Sequence, residues 1–197
     1  MKYFAIYTNV EITEKPAWLD DFRNKYDLEY HVDTNAFSAP CNAHMTLTQP
    51  RFINDCEAGK LRTKMTNFFS NYSKEINVEF SNLHLDRQDT TNNGCIMIDS
   101  IKNNILTKLQ LDMLNFVNKN NNLCDITHKS YEDNFVPHLT VGRSLSKDRF
   151  DKAVSELPDK FRIKAIISEV ILAVVPDESA TERKNPKNLT VYKLSQH

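Results

Sequence analysis

Apolar residues recur along this chain with two different periods, and each period predicts a different kind of secondary structure. Short stretches rich in aromatic and β-branched residues, in which apolar and polar positions alternate, are typical of strands. Longer stretches with apolar residues three or four positions apart are typical of helices. Strands are therefore predicted at residues 2–10, 44–48, 76–80 with a continuation through 83–85, 95–98, 138–141 and 189–194, with one long strand or two shorter ones between 161 and 175. Helices are predicted at residues 16–26, 55–72, 101–119 and 147–157.

The predicted elements repeat, because each half of the chain contains a helix, an irregular loop, a short strand and a second helix. The irregular loops cover residues 28–43 and 123–135. The strand that follows the first loop is expected to end near Pro50, since proline cannot donate a ladder hydrogen bond. No linker separates the halves. We therefore expect one α/β (α+β) domain over residues 1–197, built from two lobes.

The strands that follow the two loops begin with the same four-residue pattern, His-apolar-Thr-apolar. The first copy is His-Met-Thr-Leu at residues 44–47, and the second is His-Leu-Thr-Val at residues 138–141. Successive side chains of a strand point to opposite faces, so each His shares a face with its Thr. One copy describes any half-buried strand, whereas two copies at matching places in the two halves indicate a shared site.

Two histidines and two threonines that face one small volume suit the cleavage of a phosphodiester. Imidazole titrates near pH ~6.5, so one of His44 and His138 can act as general base while the other acts as general acid. The hydroxyls of Thr46 and Thr140 can donate hydrogen bonds to non-bridging oxygens, where negative charge grows in the transition state. This scheme requires no metal, and the residues alone do not decide which histidine is the base.

The paired motif resembles that of the 2H phosphoesterase superfamily, which includes RNA 2′,5′-ligase-like proteins, cyclic phosphodiesterases and 2′,5′-oligoadenylate phosphodiesterases. The resemblance covers most of the chain, and Arg143 also looks like a family feature. It implies two pseudo-symmetric lobes whose mainly antiparallel sheets line a central cleft, with helices outside. It further implies that His44 and His138 are catalytic and that Thr46 and Thr140 bind phosphate.

The resemblance also implies a reaction and a class of substrate. The expected enzyme is a phosphodiesterase without metal or cofactor that cleaves 2′,5′-linked oligoribonucleotides, such as 2′,5′-oligoadenylate, or nucleoside cyclic phosphates. Two alternatives remain open. The same residues would serve RNA 2′,5′-ligation or RNA 3′-end processing, and a nucleotide- or RNA-binding module could have lost catalysis. Both motifs are intact, which weighs against the second alternative.

Other side chains are weaker candidates for substrate contacts. The Arg143 guanidinium could bind two phosphate oxygens at once. Tyr30, Phe37 and Tyr131 lie in the loops before the motifs, where aromatic rings can stack on bases, although local packing is the commoner role. The histidines outside the motifs are expected to be surface or hydrogen-bonded residues: His31, His84, His128 and His197.

Composition narrows the partners that we expect. Lys and Arg number 25, Asp and Glu number 26, and the formal net charge is −1. Bulk charge is therefore not expected to hold long nucleic acids, which favours a short oligoribonucleotide or a cyclic nucleotide as substrate. The four cysteines form no C-x-x-C pair, which favours reduced thiols and a cytoplasmic location. We expect no signal peptide, no membrane-spanning segment and a monomer without an obligate protein partner.

Overall fold

The computed structural model describes residues 2–27, 43–70, 72, 74–87, 94–120, 132–176, 182 and 185–194. The strands within them are β1 (Lys2–Glu14), β2 (His44–Ile53), β3 (Ile76–Asp86), β4 (Gly94–Ser100), β5 (His138–Leu145), β6 (Ile163–Val175) and β7 (Leu189–Lys193). The α-helices are α1 (Trp18–Tyr26), α2 (Asp55–Phe69), α3 (Asn104–Asn120) and α4 (Lys147–Ser155). None of these helices is long and apolar enough to cross a membrane.

The strands of the described chain form one antiparallel sheet with the order β2-β1-β6-β3-β4-β5, and β7 pairs with β6. Exchanging β1 with β4, β2 with β5 and β3 with β6 gives the same order, read from the other end of the sheet. The sheet is continuous because β6 pairs with β1 on one side and with β3 over Ile163–Ile167 on the other, and β7 pairs with β6 over Glu169–Ala173. The chain is thus built from two pseudo-symmetric halves, which confirms the predicted α+β fold class.

The apolar side chains of both halves pack into one core between the sheet and the helices. Met45 and Leu47 of β2 and Leu139 and Val141 of β5 are all 3% exposed or less, so each motif turns its apolar residues inwards. Each half also lends a helix to the other, because α1 packs against β5 and α3 packs against β2. Strands β2 and β5 are the first and the last in the strand order, and yet they contact each other. The sheet therefore curls until its two motif strands are neighbours.

The two motifs lie on the same side of this curled sheet. Cross-strand partners share a face, so that face can be followed from strand to strand through the ladder. We call the side opposite the core the polar face, and the His and Thr of both motifs are half-buried there. The side chains met in order along it are His44, Asn9, Glu169, Ile166, Asn77, Asn82, Asp99 and His138.

Strand β2 does not end near Pro50, and this expectation was wrong. The ladder with β1 shifts by one residue between Thr48 and Arg51, which forms a β-bulge. Pro50 lies in that bulge, where its missing N–H removes no regular ladder hydrogen bond. Pairing resumes at Arg51 and continues to Ile53. A partner strand can thus accommodate a proline that would end an isolated one.

Helix α3 begins at Asn104, three residues later than its apolar periodicity predicts. The side chain of Asn103 caps the helix, since its Oδ1 accepts the backbone N–H groups of Ile105 and Leu106, each at 3.1 Å. Such a bond satisfies donors that have no partner within the first helical turn. Ile101 lies before the cap and is 44% exposed, so it does not extend the apolar face of the helix.

A bulge in β3 decides which of its side chains reach the polar face. Between Phe80 and Asn82, β3 contains one more residue than the matching part of β4. The alternation of faces therefore changes phase at this point. Phe80 is buried in the core before the bulge, whereas Leu83 and Leu85 take the core side after it. His84 consequently turns to the polar face.

A buried ion pair joins the two halves. Arg51 near the end of β2 is 1% exposed, Glu132 before β5 is 8% exposed, and Nη2 of the arginine donates to Oε2 of the glutamate at 2.7 Å. Oε1 of Glu132 accepts the backbone N–H of Gln49 at 2.8 Å. Nη1 of Arg51 donates to Oδ1 of Asn118 at 2.9 Å. These bonds tie the end of one motif strand to the segment that enters the other.

Replacing Glu132 by alanine should lower the free energy of unfolding by about 3–5 kcal/mol, because it leaves the Arg51 guanidinium buried without a counter-charge. Urea unfolding followed by far-UV circular dichroism measures this change. Glu14→Gln is the control, since it removes an exposed ion pair with Lys164 that contributes little. Equal stability of Glu132→Ala and the wild type would contradict the role of the ion pair in joining the halves.

Candidate active site

The first half-site lies where β2 begins beside β1. His44 pairs with Asn9 and Thr46 pairs with Tyr7, so the four side chains share the polar face. The rings of Tyr7 and His44 meet edge to face, with centroids 5.8 Å apart and an interplanar angle of 70°. Nδ2 of Asn9 donates to Oε2 of Glu169 on β6 at 3.3 Å. An aromatic ring and an amide therefore flank the first imidazole.

The second half-site lies where β5 begins beside β4. Nδ1 of His138 lies 2.9 Å from the carbonyl oxygen of Val136. Because a carbonyl oxygen only accepts, Nδ1 donates and Nε2 carries the lone pair of the neutral ring. Burial lowers the pKa of His138, and the charges of His84 and Arg143 act in the same direction. The bond to Val136 and the charge of Asp99 oppose this shift of the pKa without reversing it. The second imidazole is therefore neutral at neutral pH.

A third histidine, which no motif indicated, lies in the second half-site. His84 pairs with Met97, and Met97 pairs with Thr140, so the three side chains share the polar face. Nδ1 of His84 lies 3.2 Å from Oδ1 of Asp99, and its ring centroid lies 6.5 Å from that of His138. The sequence predicts a hydrogen-bonded histidine but does not link it to the motif. Along β3 the apolar residues change from even-numbered to odd-numbered positions. This change is the sequence signal from which the orientation of His84 could have been predicted.

The other predicted site residues are distributed unevenly. Arg143 is half-buried and lies past the motif in β5, where its backbone forms a bridge to Asp27 at the end of α1. Its charge is near enough to contribute to the lowered pKa of the motif histidine, while phosphate binding stays a prediction. Several predictions fall on residues outside the described ranges, and stacking by the three aromatic residues among them stays a prediction: Tyr30, Phe37, Tyr131, His31, His128 and His197.

The fold and its two half-sites define a class of protein. Each pseudo-symmetric half presents a His and a Thr from the start of an equivalent strand, which is the arrangement of the 2H phosphoesterases. The family model of the 2′-5′ RNA ligase superfamily matches residues 15–177, and the chain belongs to this superfamily. The resemblance stated from the motifs is thereby confirmed, and it supports a phosphoesterase activity.

Solved structures share this fold at low sequence identity. The protein TT0787 of Thermus thermophilus is 12% identical, with a TM-score of 0.56 over 100% of both chains. Usb1 of Kluyveromyces marxianus is 12% identical, with a TM-score of 0.53 over 97% of each chain. Apo LigT of E. coli is 10% identical, with a TM-score of 0.51 over 98% of this chain and 94% of LigT. At such identities the likeness concerns the fold alone. A search of curated proteins finds no match.

We expect the pKa of His138 to lie below the usual histidine value of about 6.5, because burial disfavours the imidazolium form. Histidine ¹H–¹⁵N NMR across roughly pH 4 to 8 measures this pKa and reports which nitrogen carries the proton. Since the folded-state pKa is the lower one, the contribution of His138 to stability is present above the unfolded-state value. It is lost as the pH falls through the folded-state value. A pKa above 6.5, or a neutral ring protonated on Nε2, would contradict this arrangement.

Proposed function

We propose that this protein is a metal-independent phosphodiesterase that cleaves 2′,5′-linked oligoribonucleotides, such as 2′,5′-oligoadenylate, or nucleoside cyclic phosphates. One observation carries the proposal. A His and a Thr occupy the first and third positions of β2 and of β5, on the same face of a sheet whose two ends meet. Groups that approach one phosphate from two sides suit displacement at phosphorus. Membership of the superfamily supports the same conclusion.

His138 takes the role of general base. Its neutral ring carries the proton on Nδ1, which donates to Val136, so the lone pair of Nε2 is available to a hydroxyl. This base removes the proton of a ribose hydroxyl next to the phosphate, or of a water molecule. His44 comes from the opposite half and, as an imidazolium, protonates the leaving oxygen. Each positioned proton transfer typically contributes on the order of 10²–10⁴ in rate.

The threonines bind the phosphate while the bonds change. The hydroxyls of Thr46 and Thr140 donate to non-bridging oxygens, which gain negative charge as the incoming oxygen bonds to phosphorus. The Arg143 guanidinium binds a further phosphate oxygen. The bond from phosphorus to the leaving oxygen breaks, and that oxygen takes the proton of the general acid. A ribose hydroxyl as nucleophile yields a 2′,3′-cyclic phosphate, and water acting on a cyclic phosphate yields a monoester.

Short nucleotides are the proposed substrates. The net charge of −1 gives little long-range attraction for extended nucleic acids. E. coli LigT, which is 10–11% identical, has been crystallised with 3′-AMP at a TM-score of 0.50 and with NADP⁺ at a TM-score of 0.51. This supports mononucleotides and dinucleotides as probes of the present site.

The wild-type protein in excess EDTA should cleave 2′,5′-oligoadenylate or a 2′,3′-cyclic nucleotide, and chromatography of the products identifies the bond that breaks. His44→Ala and His138→Ala should each lower kcat about 10²-fold or more, because each removes one proton transfer. Circular dichroism checks that both variants fold.

Three results would change this conclusion. Binding without cleavage of any diester, 3′,5′-linked RNA included, would favour a nucleotide-binding module. A new 2′,5′ bond between RNA ends would favour ligation. Near-full activity of either variant would remove that histidine from the mechanism.

The two histidine variants should respond differently to an activated leaving group. In adenosine 2′-(4-nitrophenyl phosphate), nitrophenolate departs without a proton, so it needs no general acid. His44→Ala should recover most of the wild-type rate on this substrate, whereas His138→Ala still lacks its base and should stay slow. The absorbance of nitrophenolate reports both rates. The opposite pattern would exchange the two roles.

A further inference from the structure

The second half-site contains a histidine that the two-histidine mechanism does not use. His84 lies on β3 in the cross-strand row His84–Met97–Thr140. Its side chain is 46% exposed. Its ring lies 6.5 Å from that of His138, centroid to centroid, with an angle of 71° between the planes. A solvent-accessible imidazole thus lies beside the proposed base.

Asp99 determines which nitrogen of His84 remains for a ligand. Oδ1 of this carboxylate accepts from Nδ1 of His84 at 3.2 Å, and the aspartate side chain is only 20% exposed. With Nδ1 engaged, Nε2 is the nitrogen that a substrate can reach. The carboxylate also supplies a counter-charge for the ring in its protonated form, in which Nε2 is a charged donor.

The pseudo-symmetry of the fold does not explain His84. The equivalent row of the first half is Thr46–Tyr7–Ile171, so an isoleucine occupies the equivalent position. Ile171 is 3% exposed whereas the side chain of His84 is 46% exposed, so the two equivalent positions differ in burial as well as in residue type. His84 is therefore an addition to one half-site and not a requirement of the repeated fold.

We propose that His84 is a third substrate-contacting histidine, which as an imidazolium donates from Nδ1 to Asp99 and from Nε2 to a non-bridging oxygen of the phosphate at His138, with Asp99 as its positioning residue. The inference rests on the proposed phosphodiesterase function. An N–H···O bond spans about 2.9 Å. Two rings 6.5 Å apart can therefore both contact one phosphate group. Bonds between a protonated ring and a phosphate oxygen are short and strong.

His84→Asn tests this contact. The KM for the cleaved diester and the Kd for 3′-AMP should each rise about tenfold or more, as expected for a lost hydrogen bond to a charged group. The kcat should fall as well, because the non-bridging oxygen that His84 contacts gains negative charge in the transition state. Steady-state kinetics and calorimetric titration, both in excess EDTA, measure these quantities.

Asp99→Asn tests the positioning role. It should raise the same KM and Kd by less than His84→Asn does. In the His84→Asn background it should add little to either, because the two side chains act as one unit. Leu85→Asn is the matched control, since Leu85 is the next residue of β3, lies on the opposite side of the sheet and is 42% exposed. It should leave KM and Kd unchanged.

Two outcomes would overturn the inference alone. One is an active wild type whose His84→Asn variant keeps its KM and its Kd for 3′-AMP. The other is a variant with unchanged KM, lower kcat and a displaced acid limb of the pH profile, because His84 would then act through His138 and not on the phosphate. A wild type that neither cleaves a diester nor binds 3′-AMP would overturn the proposed function and this inference with it.

Discussion

The arrangement of the two motif strands depends on the buried ion pair between Arg51 and Glu132. Such a pair adds little net stability, because the cost of removing both charges from water offsets most of their attraction. Its effect is on geometry. Sliding the docked halves past each other would leave two buried charges without partners, so few ways of docking the halves satisfy both. The hydrogen bonds to Gln49 and Asn118 also fix the orientation of the two charged groups. Because α1 packs against β5 and α3 packs against β2, each half depends on a helix of the other.

The repeated fold provides two equivalent backbones, and the side chains then make the two half-sites different. His44 lies against the ring of Tyr7, whereas His138 lies beside Asp99 and hydrogen-bonds to a carbonyl. Acid and base catalysis by two residues of one type requires environments that favour different protonation states. A strict repeat would give both histidines the same preference. The differences between the two half-sites would therefore let a symmetric scaffold support the asymmetric reaction that we propose.

Sequence predicts well what depends on near neighbours in the chain. The alternation of His44 and Thr46 with Met45 and Leu47 predicts the buried face, because a period of two is a local property of strands. The family follows from finding that pattern twice. The strand order and the curl of the sheet depend on pairing between distant segments. A bulge likewise depends on the partner strand, which is why Pro50 was misread as the end of β2 and His84 was not linked to the site.

The unequal half-sites also bear on the direction in which a nucleotide strand lies. A phosphodiester has two chemically different ends, one towards each of the nucleosides that it links. Two identical half-sites related by a twofold axis would accept such a chain in either orientation, and half of the bound molecules would present the wrong oxygen to the base. Ile171 in one half and His84 in the other remove that equivalence. Together with the differences between Tyr7 and Met97 and between Asn9 and Asp99, this pair would give the proposed substrate strand one orientation.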